Sequence, residues 1–215
     1  MSPAPAAAGA WIAPVGGQEI WTNVAGERNE TSFYESSAYW EVQLEAQSSI
    51  VVAPWLEQNY DTIDGWRAEA VVGVKRAIFR GQDFVMALQA GALWVSHPPD
   101  DACSEGGAEL RWLGGLSFGE GGFVNLEAAT RALDGGCESD RIDLTLGYRP
   151  NDRWLAMGQV FLDAPREGDE RVQAQITLVR FGDNGRGLQF GIRARVDGEA
   201  SEPALVVGLW GRPGD

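Results

Sequence analysis

The 215 residues carry 31 Asp plus Glu against 17 Lys plus Arg, a net charge of −14 that excludes nucleic acid, whose phosphates demand a basic face. No apolar run reaches the roughly eighteen residues of a helical membrane span, and one His with two Cys falls short of a zinc set. The 28 glycines, with no Pro/Ser-rich linker, favour one all-β domain.

Residues 1–16 read as a flexible N-terminal segment. The start Met1-Ser-Pro-Ala-Pro-Ala-Ala-Ala-Gly has neither a charged nor an apolar region, so it is no signal peptide. It matches the small-residue stretch around a cleavage site, as in a chain that has lost its leader or whose reading frame begins further upstream. From 17 to 212 the chain reads as a single barrel domain, because apolar and polar residues alternate in runs of about ten, the period of a strand. The runs fall near 17–27, 37–47, 50–60, 66–79, 83–95, 107–118, 123–132, 141–149, 153–162, 171–181, 187–197 and 203–211, about twelve strands.

The second run sets Ala38, Trp40, Val42 and Leu44 against Tyr39, Glu41, Gln43 and Glu45. The sixth alternates Leu110, Trp112, Leu116 and Phe118 with Glu109, Arg111 and Ser117, and Gly119-Glu120-Gly121-Gly122 then reverses the chain. In the third, fifth and twelfth, Val51, Ala53, Val85, Ala87, Leu205 and Val207 fall on the expected inner face, so part of the interior is packed. Connectors after even-numbered strands are short and the others are generally longer and acidic. That asymmetry, with pairable Arg and Glu on one face and apolar residues on the other, predicts a transmembrane antiparallel up-and-down β-barrel with both termini periplasmic. The loop acids, Asp163 among them, read as a solvated rim.

Aromatic residues fall at strand ends, as at the two water interfaces of a membrane barrel. Phe79, Phe84, Phe118, Phe123, Tyr148, Trp154, Phe181, Phe190 and Trp210 map to the short-turn end, and Trp40, Tyr60, Trp66 and Trp94 to the long-loop end. Cys103 and Cys137 lie in loops on one side. They are either a disulfide, which would signal an oxidising compartment and contribute roughly 3–4 kcal/mol, or two separate thiols.

The expected lumen face carries Glu41, Glu45, Arg67, Glu69, Lys75, Glu109, Arg111, Glu127, Arg131, Arg141, Asp143, Arg149, Arg153, Arg193, Arg195 and Asp197. Arg and Glu on neighbouring strands can brace the wall, and the same charges along a wet passage set selectivity. The sequence alone leaves both roles open. His97 follows Ser96 in a loop, where adjacent side chains point apart and no acid is held nearby, so no nucleophilic site is expected. Gly114 to Gly122 lacks the Lys-Ser/Thr ending and the following helix of a phosphate loop, and no cofactor is expected.

Several segments resemble a broad group of bacterial outer-membrane barrels classed as transporters or with proteins of the phenol meta-cleavage pathway. They are Gly9-Ala10-Trp11, Gly122-Phe123-Val124-Asn125-Leu126-Glu127-Ala128-Ala129 with Arg131, Asp143-Leu144-Thr145-Leu146-Gly147, Trp154 with Gln159, and Gly208-Leu209-Trp210. The resemblance implies a Gram-negative outer-membrane barrel, with no catalytic residues to carry over. A final strand in such barrels usually ends on a terminal aromatic, whereas Trp210 is followed here by Gly211-Arg212-Pro213-Gly214-Asp215. The expected function is a narrow channel for small solutes, with outer-membrane lipid around it and no enzymatic step. The alternatives are an occluded barrel serving protein partners in an envelope complex, and a soluble all-β binding protein.

Overall fold

The computed structural model describes residues 9–28, 31–58, 65–98, 102–166, 168–197 and 203–211. Twelve strands run antiparallel: β1 (Gln18–Arg28), β2 (Thr31–Glu45), β3 (Ser48–Gln58), β4 (Trp66–Arg80), β5 (Phe84–Val95), β6 (Gly106–Phe118), β7 (Gly122–Leu133), β8 (Glu138–Asn151), β9 (Trp154–Pro165), β10 (Arg171–Phe181), β11 (Gly187–Arg195) and β12 (Ala204–Gly211). They pair in chain order, and β12 closes onto β1 through Trp21↔Leu209 and Val24↔Val206. Closure leaves no unpaired sheet edge, the condition for a β structure to cross a bilayer.

The outer surface is apolar. Leu110 (57% exposed), Leu144 (43%) and Ile176 (65%) belong to rows that no soluble protein of this size would leave bare. Tyr34, Trp66 and Trp94 stand exposed at the long-loop end, and Phe79, Phe84, Phe118, Tyr148, Trp154 and Phe190 at the short-turn end. The chain is therefore a transmembrane barrel. Arginine at position 144, midway along β8, faces the centre of the bilayer. Leu144→Arg is expected to cost about 2–4 kcal/mol in a urea titration of the barrel in lipid vesicles, while Thr145→Arg, on the opposite face, costs much less.

The structure redraws several details. β2 begins at Thr31 instead of 37, with Arg28 already paired to Thr31. In β12, Leu205 and Val207 face outward and Ala204 and Val206 inward, because pairing with β1 puts Leu209 on the lipid face beside Trp21. Phe123, Phe181 and Trp210 also point inward. Trp210 meets Phe181 edge to face at 6.0 Å and donates to Gln189 Oε1 (2.6 Å). Trp40 sits toward the short-turn end, level with Glu19. Tyr60 lies outside the described residues.

Cys103 and Cys137 form a disulfide with Cα atoms 5.9 Å apart, tying the loop before β6 to the connector between β7 and β8. It packs beside Val71, Leu93, Val95 and Leu133 inside the long-loop end. The bridge closes a stretch of 34 residues. Cys103→Ser/Cys137→Ser is expected to lose roughly 3–4 kcal/mol, read as a lowered temperature for the loss of heat-modifiable gel migration, and reductant should do the same to the native chain.

Candidate functional site

Alternate residues of a strand share a face, so β4 aims Arg67, Glu69, Val71 and Lys75 into the barrel. The buried Glu69 accepts from Arg67 Nη2 (2.7 Å), Arg131 Nη1 (2.7 Å) and Arg141 Nη2 (3.0 Å). Arg131 is on β7 and Arg141 on β8, so these bonds cross the lumen instead of running along the wall. Glu109 accepts from the Nε atoms of Arg111 and Arg131, each at 3.0 Å. Arg111 Nη1 also reaches Glu127 (2.7 Å) and Asp143 (3.5 Å). Arg141 Nε contacts Asp163 at 3.4 Å. Pairing of this density is what makes ionised groups tolerable away from bulk water.

A second chain of bonds circles the other side. Gln159 donates to Thr145, Gln175 to Gln159, and Arg193 Nε to Gln175 (2.8 Å), while Arg193 Nη1 reaches Glu35 on β2 (2.7 Å). At the long-loop mouth Glu57 binds Arg28 (2.5 Å) and lies 3.9 Å from Arg171 of β10. At the end of β11, Arg195 donates to both oxygens of Asp197, two residues beyond the strand (2.6 and 3.2 Å). This bond holds the Asp197 carboxyl below the usual carboxylate range.

Residues 9–13, which precede the first strand, lie inside the short-turn end. Lys75 Nζ, fully buried, donates to the carbonyls of Gly9 (3.0 Å) and Trp11 (2.8 Å) and to Glu41 Oε2 (2.6 Å). Glu41 in turn accepts the Ala13 N–H (3.0 Å) and the Ser49, Tyr39 and Gln18 side-chain donors, and Asn125 Oδ1 accepts the Ala10 N–H (3.0 Å). Ala10 and Ile12 pack on Ala77, Val85, Ala87 and Leu113. The Trp11 ring fills the space over Gly115, where a Cβ would meet it at 2.6 Å, and meets Phe123 edge to face at 6.1 Å. Gly115→Leu should therefore displace the Trp11 ring without removing any donor or acceptor of the polar clasp, detected as a shift of tryptophan emission toward that of exposed rings.

Above this segment is a cavity of about 340 Å³. Glu69, Glu109, Arg111, Glu127, Arg131, Arg141, Asp143 and Arg193 line it together with apolar groups, among them Ile20, Val51, Ala53, Trp55, Leu113 and Met157. Of the remaining charges on the expected lumen face, Glu41 and Lys75 form the clasp and Arg67 pairs with Glu69. Arg195 and Asp197 sit at the long-loop end, and Arg149 lies 4.9 Å over the Phe181 ring near the short-turn end. Glu45 is exposed after a register shift between Gln43 and Glu45. Arg153 occupies the turn before β9 and pairs with Asp183 in solvent, since a turn residue no longer obeys the strand's alternation.

Periodicity misses Glu35, Glu57, Asp163, Arg28 and Arg171, while Asn125, with the parity of Glu127 and Arg131, lies on the inner face as its alternation requires. Glu35 has the parity of Glu41, and Asp163 that of Gln159, so extending the runs at their loop ends would have found both. Asp163 pairs with Arg141 while its side chain stays 42% exposed, so it belongs to the solvated rim and to the charge network at once. Asp61, Asp64, Asp100, Asp101, Glu167, Glu199 and Glu202 of that rim lie outside the described residues. Ser96 Oγ accepts the Ala68 N–H (2.7 Å), and the neighbouring His97 ring meets Trp66 edge to face.

Fold and interior together define a twelve-stranded transmembrane β-barrel with a braced, partly filled lumen. No protein-family profile and no curated protein matches the chain in sequence. Among solved structures it is similar to the KdgM porin in complex with disordered oligogalacturonate, with a TM-score of 0.64 at 6% identity over 90% of this chain and 97% of that one. The NanC porin gives a TM-score of 0.64 at 10% identity over 90% and 98%. An outer membrane channel from Pseudomonas putida F1 gives 0.59 at 11% identity over 96% and 97%. At these identities the likeness is one of fold.

Proposed function

We propose that the chain is a narrow channel of a Gram-negative outer membrane. Its short-turn end and termini face the periplasm, and it passes small hydrophilic or amphipathic solutes without an enzymatic step. The observation that carries this reading is the interior cavity, lined by both charged and apolar side chains. Its lining sets Arg111, Arg131, Arg141 and Arg193 against Glu69, Glu109, Glu127 and Asp143, so the charges balance. A balanced lining holds water and polar groups yet exerts little net pull on ions of either sign. The solved structures of like fold are named as porins and a channel, which supports a transport role.

Proteoliposome swelling tests this directly. Vesicles carrying the protein should swell in small uncharged solutes and slow as solute size increases. Failure to swell in any solute, with Arg111→Gln changing stability alone, would favour the occluded barrel of an envelope complex. The bonds from Glu69 to Arg131 and Arg141 across the lumen favour that second reading. A detergent-free monomer in water would contradict both.

A further inference from the structure

The short-turn end carries a second hollow, on the outside of the barrel, of about 410 Å³. Three arginines border it, Arg153, Arg180 and Arg186, against a single acid, Asp183. In a chain of net charge −14 the local balance is thus reversed. Arg180 is the penultimate residue of β10 and follows Ile176 and Leu178 on the lipid-facing side. Its guanidinium carbon stands 5.9 Å from the centre of the Trp154 ring, which also meets Phe190 edge to face at 6.5 Å. Aromatic rings gather at the water interface, and a charge on the lipid face is tolerated at that depth because its cost falls away from the midplane.

Backbone bonds set the arginines in place. Asn151 Oδ1 accepts the N–H of Arg153 (2.9 Å) and of Trp154 (3.1 Å), and the Arg153 carbonyl accepts the Phe181 N–H (2.8 Å), so the turn before β9 is tied to the end of β10. The Gly182 N–H donates to the Arg186 carbonyl (2.8 Å) and closes the next turn. The guanidiniums are far less engaged. Arg153 reaches Asp183 at 3.3 Å with the two side chains 72% and 92% exposed, a pair that solvent screens. Among the described residues Arg180 and Arg186 have no carboxylate partner.

Toward the bilayer the wall is apolar. The register sets Trp154, Arg180, Leu188 and Leu209 side by side across four strands, with Leu178, Phe190 and Val207 one step nearer the midplane. Leu188 and Leu209 are exposed and line the hollow itself. Arginine forks onto phosphate oxygens, and clustered basic groups at a membrane interface attract anionic headgroups. Guanidiniums above an apolar track therefore match an anion continued by a hydrocarbon chain.

We propose that this hollow is a headgroup site for an anionic glycerophospholipid of the inner leaflet, with the phosphate on Arg180 and Arg186 and an acyl chain along Leu188 and Leu209. Bound there, the lipid neutralises the arginine that β10 presents to the membrane. The proposal rests on the orientation given with the channel reading, short-turn end to the periplasm, and not on conduction.

Native mass spectrometry of the full chain folded in detergent tests it, with dioleoylphosphatidylglycerol as the probe and dioleoylphosphatidylcholine as the neutral comparison. The wild-type protein should retain one phosphatidylglycerol under activation that strips phosphatidylcholine. Arg180→Gln and Arg186→Gln should each weaken that binding about fivefold, and Leu188→Ser/Leu209→Ser should weaken it too. Arg76→Gln, on the lipid-facing side of β4 across the barrel, should leave it unchanged. Heat-modifiable migration shows that each variant is folded. Equal retention of the two lipids, or the same weakening from Arg76→Gln, overturns the site in favour of general surface attraction. Displacement by inorganic phosphate with no effect of the leucine pair overturns the lipid as occupant. Tighter retention of lipid A than of phosphatidylglycerol overturns the inner-leaflet assignment and the orientation with it. Proteoliposome swelling, read alongside, should be the same for Arg180→Gln and wild type. Wild-type protein that retains phosphatidylglycerol but swells no vesicle overturns the channel reading and supports the lipid site by itself.

Discussion

Lys75→Met is expected to destabilise the barrel by about 3–5 kcal/mol, the range for removing one partner of a buried ion pair. Lys75 holds together three things at once: the Glu41 carboxylate, the Gly9 carbonyl and the Trp11 carbonyl. Without it Glu41 remains fully buried with neutral donors only, from Ser49, Tyr39, Gln18 and the Ala13 amide. The double variant Glu41→Gln/Lys75→Met removes both charges and should recover more than half of the loss. Urea titrations followed by tryptophan emission in lipid vesicles measure both. Equal losses for the single and double variants would show that the ion pair does not hold the segment. Conductance should move as well, because residues 9–13 lose two of the bonds that seat them at the short-turn end.

Arg131→Met is the second large effect, again about 3–5 kcal/mol by the same logic. Arg131 bridges Glu69 at 2.7 Å and Glu109 at 3.0 Å, and so joins β4, β6 and β7 around one guanidinium. Glu69 would keep Arg67 and Arg141, and Glu109 would keep Arg111. The cavity lining would shift from balanced to one negative charge in excess. Reversal potentials in a salt gradient should therefore move toward cation preference, and Glu109→Gln in the same chain should move them back. A loss of stability with no change in reversal potential would mean that the network braces the barrel without bordering the conducting path.

The strand count and the apolar exterior could be read from the alternation, since a period of two is a local property of the chain. Ile142, Leu144 and Leu146 needed no tertiary information to be placed on one face. The internal bridges did not come that way. Nothing local pairs Glu69 with Arg141, 72 residues away, or Glu35 with Arg193, 158 away. Those contacts exist because the sheet closes, and closure brings strands distant in sequence across a narrow interior. Turns were a further limit, since Arg153 keeps the composition of a strand residue while the chain around it leaves the sheet. The clasped segment was hidden for another reason. Gly9 to Ala13 is short, small and apolar, the composition of a loose lead-in, and its backbone partners, the buried Lys75, Glu41 and Asn125, lie far along the chain on β4, β2 and β7.

Planar-bilayer recording tests the central claim most directly. The account predicts discrete current steps from wild-type protein, small because residues 9–13 occupy the short-turn end, and larger steps from Lys75→Met and Gly115→Leu. Silent membranes for all three proteins, each shown to be inserted and folded by heat-modifiable migration, would contradict it.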